Sequence, residues 1–169
     1  ERRDAFNTDM SPEQIKTFEF GYRGKLSNLN VDLSVYSNTI TDFISTKAVV
    51  SPGAGLVDGS DGGIAAGAID TGNYQVYGSY TNSENEVKSY GGAIGLSTKV
   101  FGGLNLNTNY TYAKLDFDSD AYPDFNTNFN TPEHKVKVGF GKADLFKNFG
   151  FNLAWRWSDN YEWEASFGN

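Results

Sequence analysis

The stretch LNLNTNYTYAKLDF alternates bulky side chains with small polar ones, and similar alternation recurs in five other segments of the chain. Leu104, Leu106, Thr108, Tyr110 and Tyr112 fall on one side of an extended backbone, and Asn105, Asn107, Asn109 and Thr111 fall on the other. Successive strand residues point to opposite faces, so a period of two specifies a sheet with one apolar and one polar side. What covers the apolar side, a second protein layer or a lipid bilayer, decides what such a chain can do.

Six long strands are predicted. The first spans residues 15–23, with Phe18, Phe20 and Tyr22 opposed to Thr17, Glu19, Gly21 and Arg23. The second begins at Leu29, opposes Val31, Leu33 and Val35 to Asn30, Asp32 and Ser34, and is expected to continue through TDFIST. KSYGGAIGLSTKV is the third, and the stretch quoted above is the fourth. The fifth carries Val136, Val138 and Phe140 on one face, and the sixth carries Phe149, Phe151, Leu153, Trp155 and Trp157. The connections KLSN, Gly102-Gly103 and KNFG are short. Those over residues 48–86, with a strand-like piece YQVYGSY, and over DSDAYPDFNTNFN are long.

Short turns at one end and long loops at the other are the pattern of an outer-membrane barrel. The polar faces carry mostly Asn, Ser, Thr, Gly and Ala, where a sheet facing water would show more Lys and Glu. Tyr22, Phe101, Phe149, Trp155, Trp157 and Tyr161 lie near strand ends, as interfacial girdles require. A modest hydrophobic content of 38% fits strands that give lipid only one side. The competing reading is a soluble β-sandwich that binds carbohydrate or protein. A net charge of −7 argues against nucleic acid, whose binding relies on Lys and Arg. There is no cysteine, hence no disulfide or thiolate chemistry.

SPEQIKTFEFGYRGKLSNLNVDLSVYSNTITDFI resembles a stretch of TonB-dependent outer-membrane receptors, with matching positions Pro12, Glu13, Glu19, Gly21, Tyr22 and Tyr36. NEVKSYGGAIGL is similar to a family strand with Gly after an aromatic residue (Tyr90, Gly91), and NTPEHKVKVGFG to its Thr-Pro-x-His-Lys motif (Thr131, Pro132, His134, Lys135). GFNLAWRWSDNYEWEASFGN looks like receptors of the Bacteroidetes group. The resemblance implies an all-β, antiparallel, up-and-down transmembrane barrel segment in the outer membrane of a Gram-negative bacterium. It also implies import of a scarce nutrient, with barrel lipid, the rest of the barrel and plug, and the TonB system as partners. A passive porin or adhesin barrel is the nearest alternative in that setting. Family barrels close with 22 strands around a plugged lumen, so residues 1–169 are expected to be a late fragment of one barrel domain. Plug and closing strands would lie elsewhere, and strands 15–23 and 151–157 would be open edges.

The face carrying Ile94, Leu96, Leu106, Tyr110, Val138 and Leu153 is expected to meet lipid. On the opposite, lumen face, Glu19, Arg23, Asp32, Lys137 and Arg156 are the candidates for ligand or plug contact, unless they pair with one another across strands. Asp116, Asp118, Asp120 and Asp124 have calcium-loop spacing, but Ala121 and Thr127 stand where such a loop needs Gly and Glu, so an acidic solvated loop is expected. The glycine-rich SPGAGLVDGSDGGIAAGAIDTG lacks a Gly-Lys-Ser/Thr ending and reads as a surface loop at the barrel mouth, where ligand contact concentrates. His134, the only histidine, has no second ligand beside it and is expected to hydrogen-bond at the rim. No acid, base and nucleophile converge, so neither catalysis nor a cofactor or metal is expected.

Overall fold

The computed structural model describes residues 10–52, 74–122 and 125–164. Among the described residues nine strands follow one another: β1 (Gln14–Leu26), β2 (Leu29–Thr41), β3 (Ile44–Pro52), β4 (Tyr74–Asn82), β5 (Val87–Val100), β6 (Leu104–Asp116), β7 (Phe125–Asn126), β8 (His134–Phe146) and β9 (Phe149–Ser158). Six form one sheet in the order β1-β2-β5-β6-β8-β9, and every neighbouring pair is antiparallel. These are the six long strands of the sequence pattern, adjacent in chain order. β1 and β9 are the two outer strands, and the sheet does not close on itself.

Three tight turns lie at one end. Leu26 faces Leu29 across Ser27-Asn28, Val100 faces Leu104 across the Phe101–Gly103 turn, and Phe146 faces Phe149 across Lys147-Asn148. Ser27, Asn148, Gly102 and Gly103 have positive φ at these turns, and asparagine and glycine tolerate that conformation best. The β6–β8 connection around Asp120 leaves from the opposite end, while the expectation for Asp61 falls outside the described residues.

The second strand does not continue through TDFIST. It ends at Thr41, and Asp42 takes a φ of 55°, which turns the chain before β3 starts at Ile44. The stretch expected to be a long connection instead contains a hairpin: β3 pairs with β4, which includes YQVYGSY, and β7 from the β6–β8 connection pairs with β3 as a third strand. Ser83 donates its N–H to the Phe43 carbonyl at 2.7 Å, joining the β4–β5 link to the β2–β3 link where the small sheet leaves the large one.

Register assigns every side chain of the large sheet to a face. Phe20, Val35, Gly92 and Tyr112 are opposed in turn, as are Tyr22, Leu33, Ile94, Tyr110, Val136 and Trp157. Next to them run Val31, Leu96, Thr108, Val138 and Trp155, then Leu106, Phe140 and Leu153. This apolar face is free of charge over its middle. Lys16, Lys88 and Lys114 join it only at the loop end, and Lys142 only at the turn end. On β5 the charge-free run extends from Tyr90 to Val100, roughly 34 Å at the rise of an antiparallel strand. A tilt near 40° reduces that to about 26 Å, the height of the apolar band on a membrane barrel.

Nothing in the described residues packs over this face. Phe18 is 70% exposed, Leu153 56% and Trp155 57%, and Val87 and Ala113 are the only buried apolar residues described. A β-sandwich would bury such a face against a second sheet about 10 Å away, and among the described residues no sheet does so. Substituting Leu96 or Val138 by Arg is expected to cost about 2–4 kcal/mol near the bilayer midplane, while Ser97→Arg on the polar face costs little. Equilibrium unfolding of the intact protein in lipid vesicles measures both, and equal losses on the two faces would contradict the assignment.

Candidate functional site

The polar face and the connections at its loop end make up the candidate site. Across the middle of the polar face one register row runs Arg23, Asp32, Gly95, Asn109, Lys137, Arg156. Four of the five residues singled out by sequence therefore share a row, and Glu19 lies off it, opposite Tyr36. Arg23 and Asp32 pair with each other: Nη2 to Oδ2 is 2.5 Å, and Nε donates to Oδ2 at 2.7 Å. Both side chains are more than half exposed, so the pair is worth about 0–1 kcal/mol and serves mainly to neutralise. Lys137 and Arg156 face each other with like charge.

Amide and hydroxyl groups fill the rest of this face. Asn30 Nδ2 donates to Ser97 Oγ at 3.3 Å and Asn38 Nδ2 to Ser89 Oγ at 3.1 Å, both across β2 and β5. At position 91 only glycine fits, because a Cβ there would collide with the Tyr112 backbone carbonyl. It would also lie 2.9 Å from both Cε1 and Oη of Tyr36, which leans over β5.

At the loop end the connections are stitched together by polar contacts between distant residues. Glu164, beyond β9, accepts hydrogen bonds at one carboxylate oxygen from Thr127 Oγ1 (3.0 Å) and Asn128 N–H (2.8 Å). Its backbone exchanges two more with the Asn130 side chain, at 2.9 and 2.7 Å. Asn128 Nδ2 reaches Ser45 Oγ at 2.8 Å, linking the same connection to β3. On the other side, Asn82 Nδ2 donates to the carbonyls of Ser11 and Asp42 while its Oδ1 accepts from Ser11 N–H. Phe43, Phe117, Tyr122 and Phe125 form a half-buried aromatic chain, with centroid separations of 5.5–6.2 Å between successive rings. A cavity of about 370 Å³ is lined by Leu115, Phe129, Glu133, Asp159 and Tyr161 among others.

In the acidic DSDAYPD segment, the Asp118 carboxylate accepts the Ala121 N–H at 3.0 Å, a local turn. Asp116, Asp118 and Asp120 are exposed, and Asp124 lies outside the described residues. The glycine-rich loop, apart from its first two residues, also lies outside them. His134 opens β8 on the apolar-face parity, with Nδ1 2.8 Å from Tyr110 Oη and its ring beside Tyr110 and Tyr112. It is a hydrogen-bonding residue at the rim.

A six-stranded antiparallel meander with one apolar face free of charge over its middle, one polar face and a folded loop cluster is the geometry of a barrel wall. The family described as TonB dependent receptor-like, beta-barrel, matches residues 3–169. The chain belongs to that family. No curated protein and no solved structure gives a match. TonB-dependent receptors are outer-membrane receptors and transporters of Gram-negative bacteria, not enzymes.

The residues that carry the resemblance have physical roles here. Glu13 of the Pro-Glu pair accepts the Ile44 N–H at 3.2 Å, where the chain turns from β2 into β3. Tyr36 and Gly91 are the two halves of one close contact between neighbouring strands. Glu164, Asn82 and Asn130 gave no signal in the sequence, because their partners are more than 30 residues away. Replacing Glu164 by Ala removes its carboxylate bonds to Thr127 Oγ1 and the Asn128 N–H and is expected to lower the local opening free energy by roughly 1–3 kcal/mol. Amide hydrogen exchange of residues 126–131 should then quicken by about tenfold or more, with β5 and β6 unchanged. Unaltered exchange in this segment would show that the clamp does not hold it.

Proposed function

We propose that this chain is a section of the wall and mouth of an outer-membrane receptor that imports a scarce nutrient, driven through TonB. The carrying observation is the charge-free apolar band backed by a polar inner face, on strands that pair strictly in chain order. Lipid would meet the band, and solute or plug would meet the polar face. β1 and β9 each leave a row of backbone groups without a strand partner in this sheet. Each such group costs several kcal/mol in hydrocarbon, so the remaining strands and the plug come from elsewhere in the same protein. TonB would contact that other part. Glu19, Arg23, Asp32, Lys137 and Arg156 stand where a plug or a passing solute would touch the wall, with Arg23 and Asp32 already engaged by each other.

Growth under a panel of single-nutrient limitations tests this reading. Loss of the receptor and loss of TonB should slow growth under the same limitation, and the receptor should fractionate with the outer membrane. Uptake that persists without TonB would instead make the protein a passive pore.

A further inference from the structure

The polar face is cationic in a chain whose net charge is −7. Register assigns to it six cations, Arg23, Lys25, Lys99, Lys135, Lys137 and Arg156, against two carboxylates, Glu19 and Asp32. Asp32 already neutralises Arg23. On β5, β6, β8 and β9 the inward positions carry four cations and no carboxylate.

Three of these cations are neighbours. Lys137 is directly opposite Arg156, and Lys135, two residues along the same face of β8, is opposite Ser158. Among the described residues none of the three side chains has an ion-pair or hydrogen-bond partner. Like charges placed directly across a ladder are destabilising, so an anionic group near them would relieve a cost of up to about 1 kcal/mol. The flanking inward positions are uncharged, Gly139 and Ala154 on one side and Thr111 and Asn109 on β6, so no carboxylate stands beside the three cations on these strands. A guanidinium offers a planar fork that matches carboxylate or phosphate, with the two ammonium groups as point charges beside it.

We infer that Lys135, Lys137 and Arg156 form a binding site for the oxyanion group, carboxylate or phosphate, of a small solute inside the barrel. The inference rests on the barrel-wall reading above, and the test separates the two. These residues contain no cysteine, so a single one can be introduced as a reporter. Ala154→Cys puts a thiol beside the site, Ser158→Cys puts one opposite Lys135 as a second position, and Leu153→Cys puts one on the apolar face.

In the intact receptor in outer-membrane vesicles, with any cysteine outside these residues changed to serine, each thiol is reacted with an anionic and a cationic methanethiosulfonate. At Ala154→Cys and Ser158→Cys the anionic reagent should react faster by about tenfold or more, the effect of several cations a few ångströms away. Inorganic phosphate should slow that reaction at constant ionic strength, and adding Lys137→Gln with Arg156→Gln should bring the two rates together. Reactive thiols with no preference between reagents would mean that another part of the receptor already neutralises the cations, and would overturn the site alone. Leu153→Cys should resist both reagents. If it reacts as fast as Ala154→Cys, the apolar face is not in lipid, and the wall reading falls together with the site.

Discussion

Hydrocarbon supplies no hydrogen bonds, and that one fact organises this molecule. A backbone crossing a bilayer must satisfy every N–H and C=O within protein, and strands do so only by pairing on both edges. The strict chain-order pairing from β1 to β9 meets this requirement for the four inner strands. It also explains why the turns are tight at one end. A two-residue turn such as Ser27-Asn28 returns the chain at once to its partner and leaves no irregular backbone to be satisfied. The longer irregular connections lie at the other end, where loops face water and can satisfy themselves with side chains.

Because the two faces meet such different media, their residues sort by parity with little tolerance. A slip of one residue would carry Arg23 and Asp32 into lipid and Tyr22 and Leu33 into the lumen. The period-two pattern in the sequence is a record of that constraint, and so the six long strands and their faces were legible from residues alone. The same parity made Lys137 and Arg156 readable as inward-facing. What parity does not reveal is which inward residues meet. For the β1–β2 hairpin the tight turn settles it: Leu26 opposite Leu29 sets Arg23 opposite Asp32. β2 and β5 are separated by a long insertion, so no local feature specifies that Tyr36 faces Gly91.

The mouth was the least legible part, for a related reason. β7 is a two-residue strand, too short to leave a periodic trace, and it exists because β3 offers it a ladder. The break after β2 did have a local sign in Asp42, since aspartate is among the residues that tolerate positive φ, but the apolar residues beyond it masked the break. The Asn82 amide gathers Ser11 and Asp42 from separate segments, and the Glu164 carboxylate holds Thr127 and Asn128 of the β6–β8 connection. Glu164 thus ties that connection to the chain beyond β9, while the Asn128–Ser45 bond ties it to β3.

The encounter of Lys137 with Arg156 depends on a local departure from regularity. An unbroken ladder from the Phe146–Phe149 turn would set Lys137 against Ser158, a neutral pairing with no electrostatic cost. The irregularity between Lys142 and Phe146 shifts the register, bringing Lys137 opposite Arg156 and Lys135 opposite Ser158 while keeping every side chain on its own face. Such irregularities are over-represented at barrel rims and re-aim side chains. Here the shift moves two positive charges together on the polar wall without disturbing Val138, Phe140 or Leu153 on the apolar one. The neutral alternative lay two residues away, so electrostatics within the sheet alone would favour it over the pairing found. The pairing found is the one that would assemble the oxyanion site inferred above, where an anionic group would offset the repulsion between the cations.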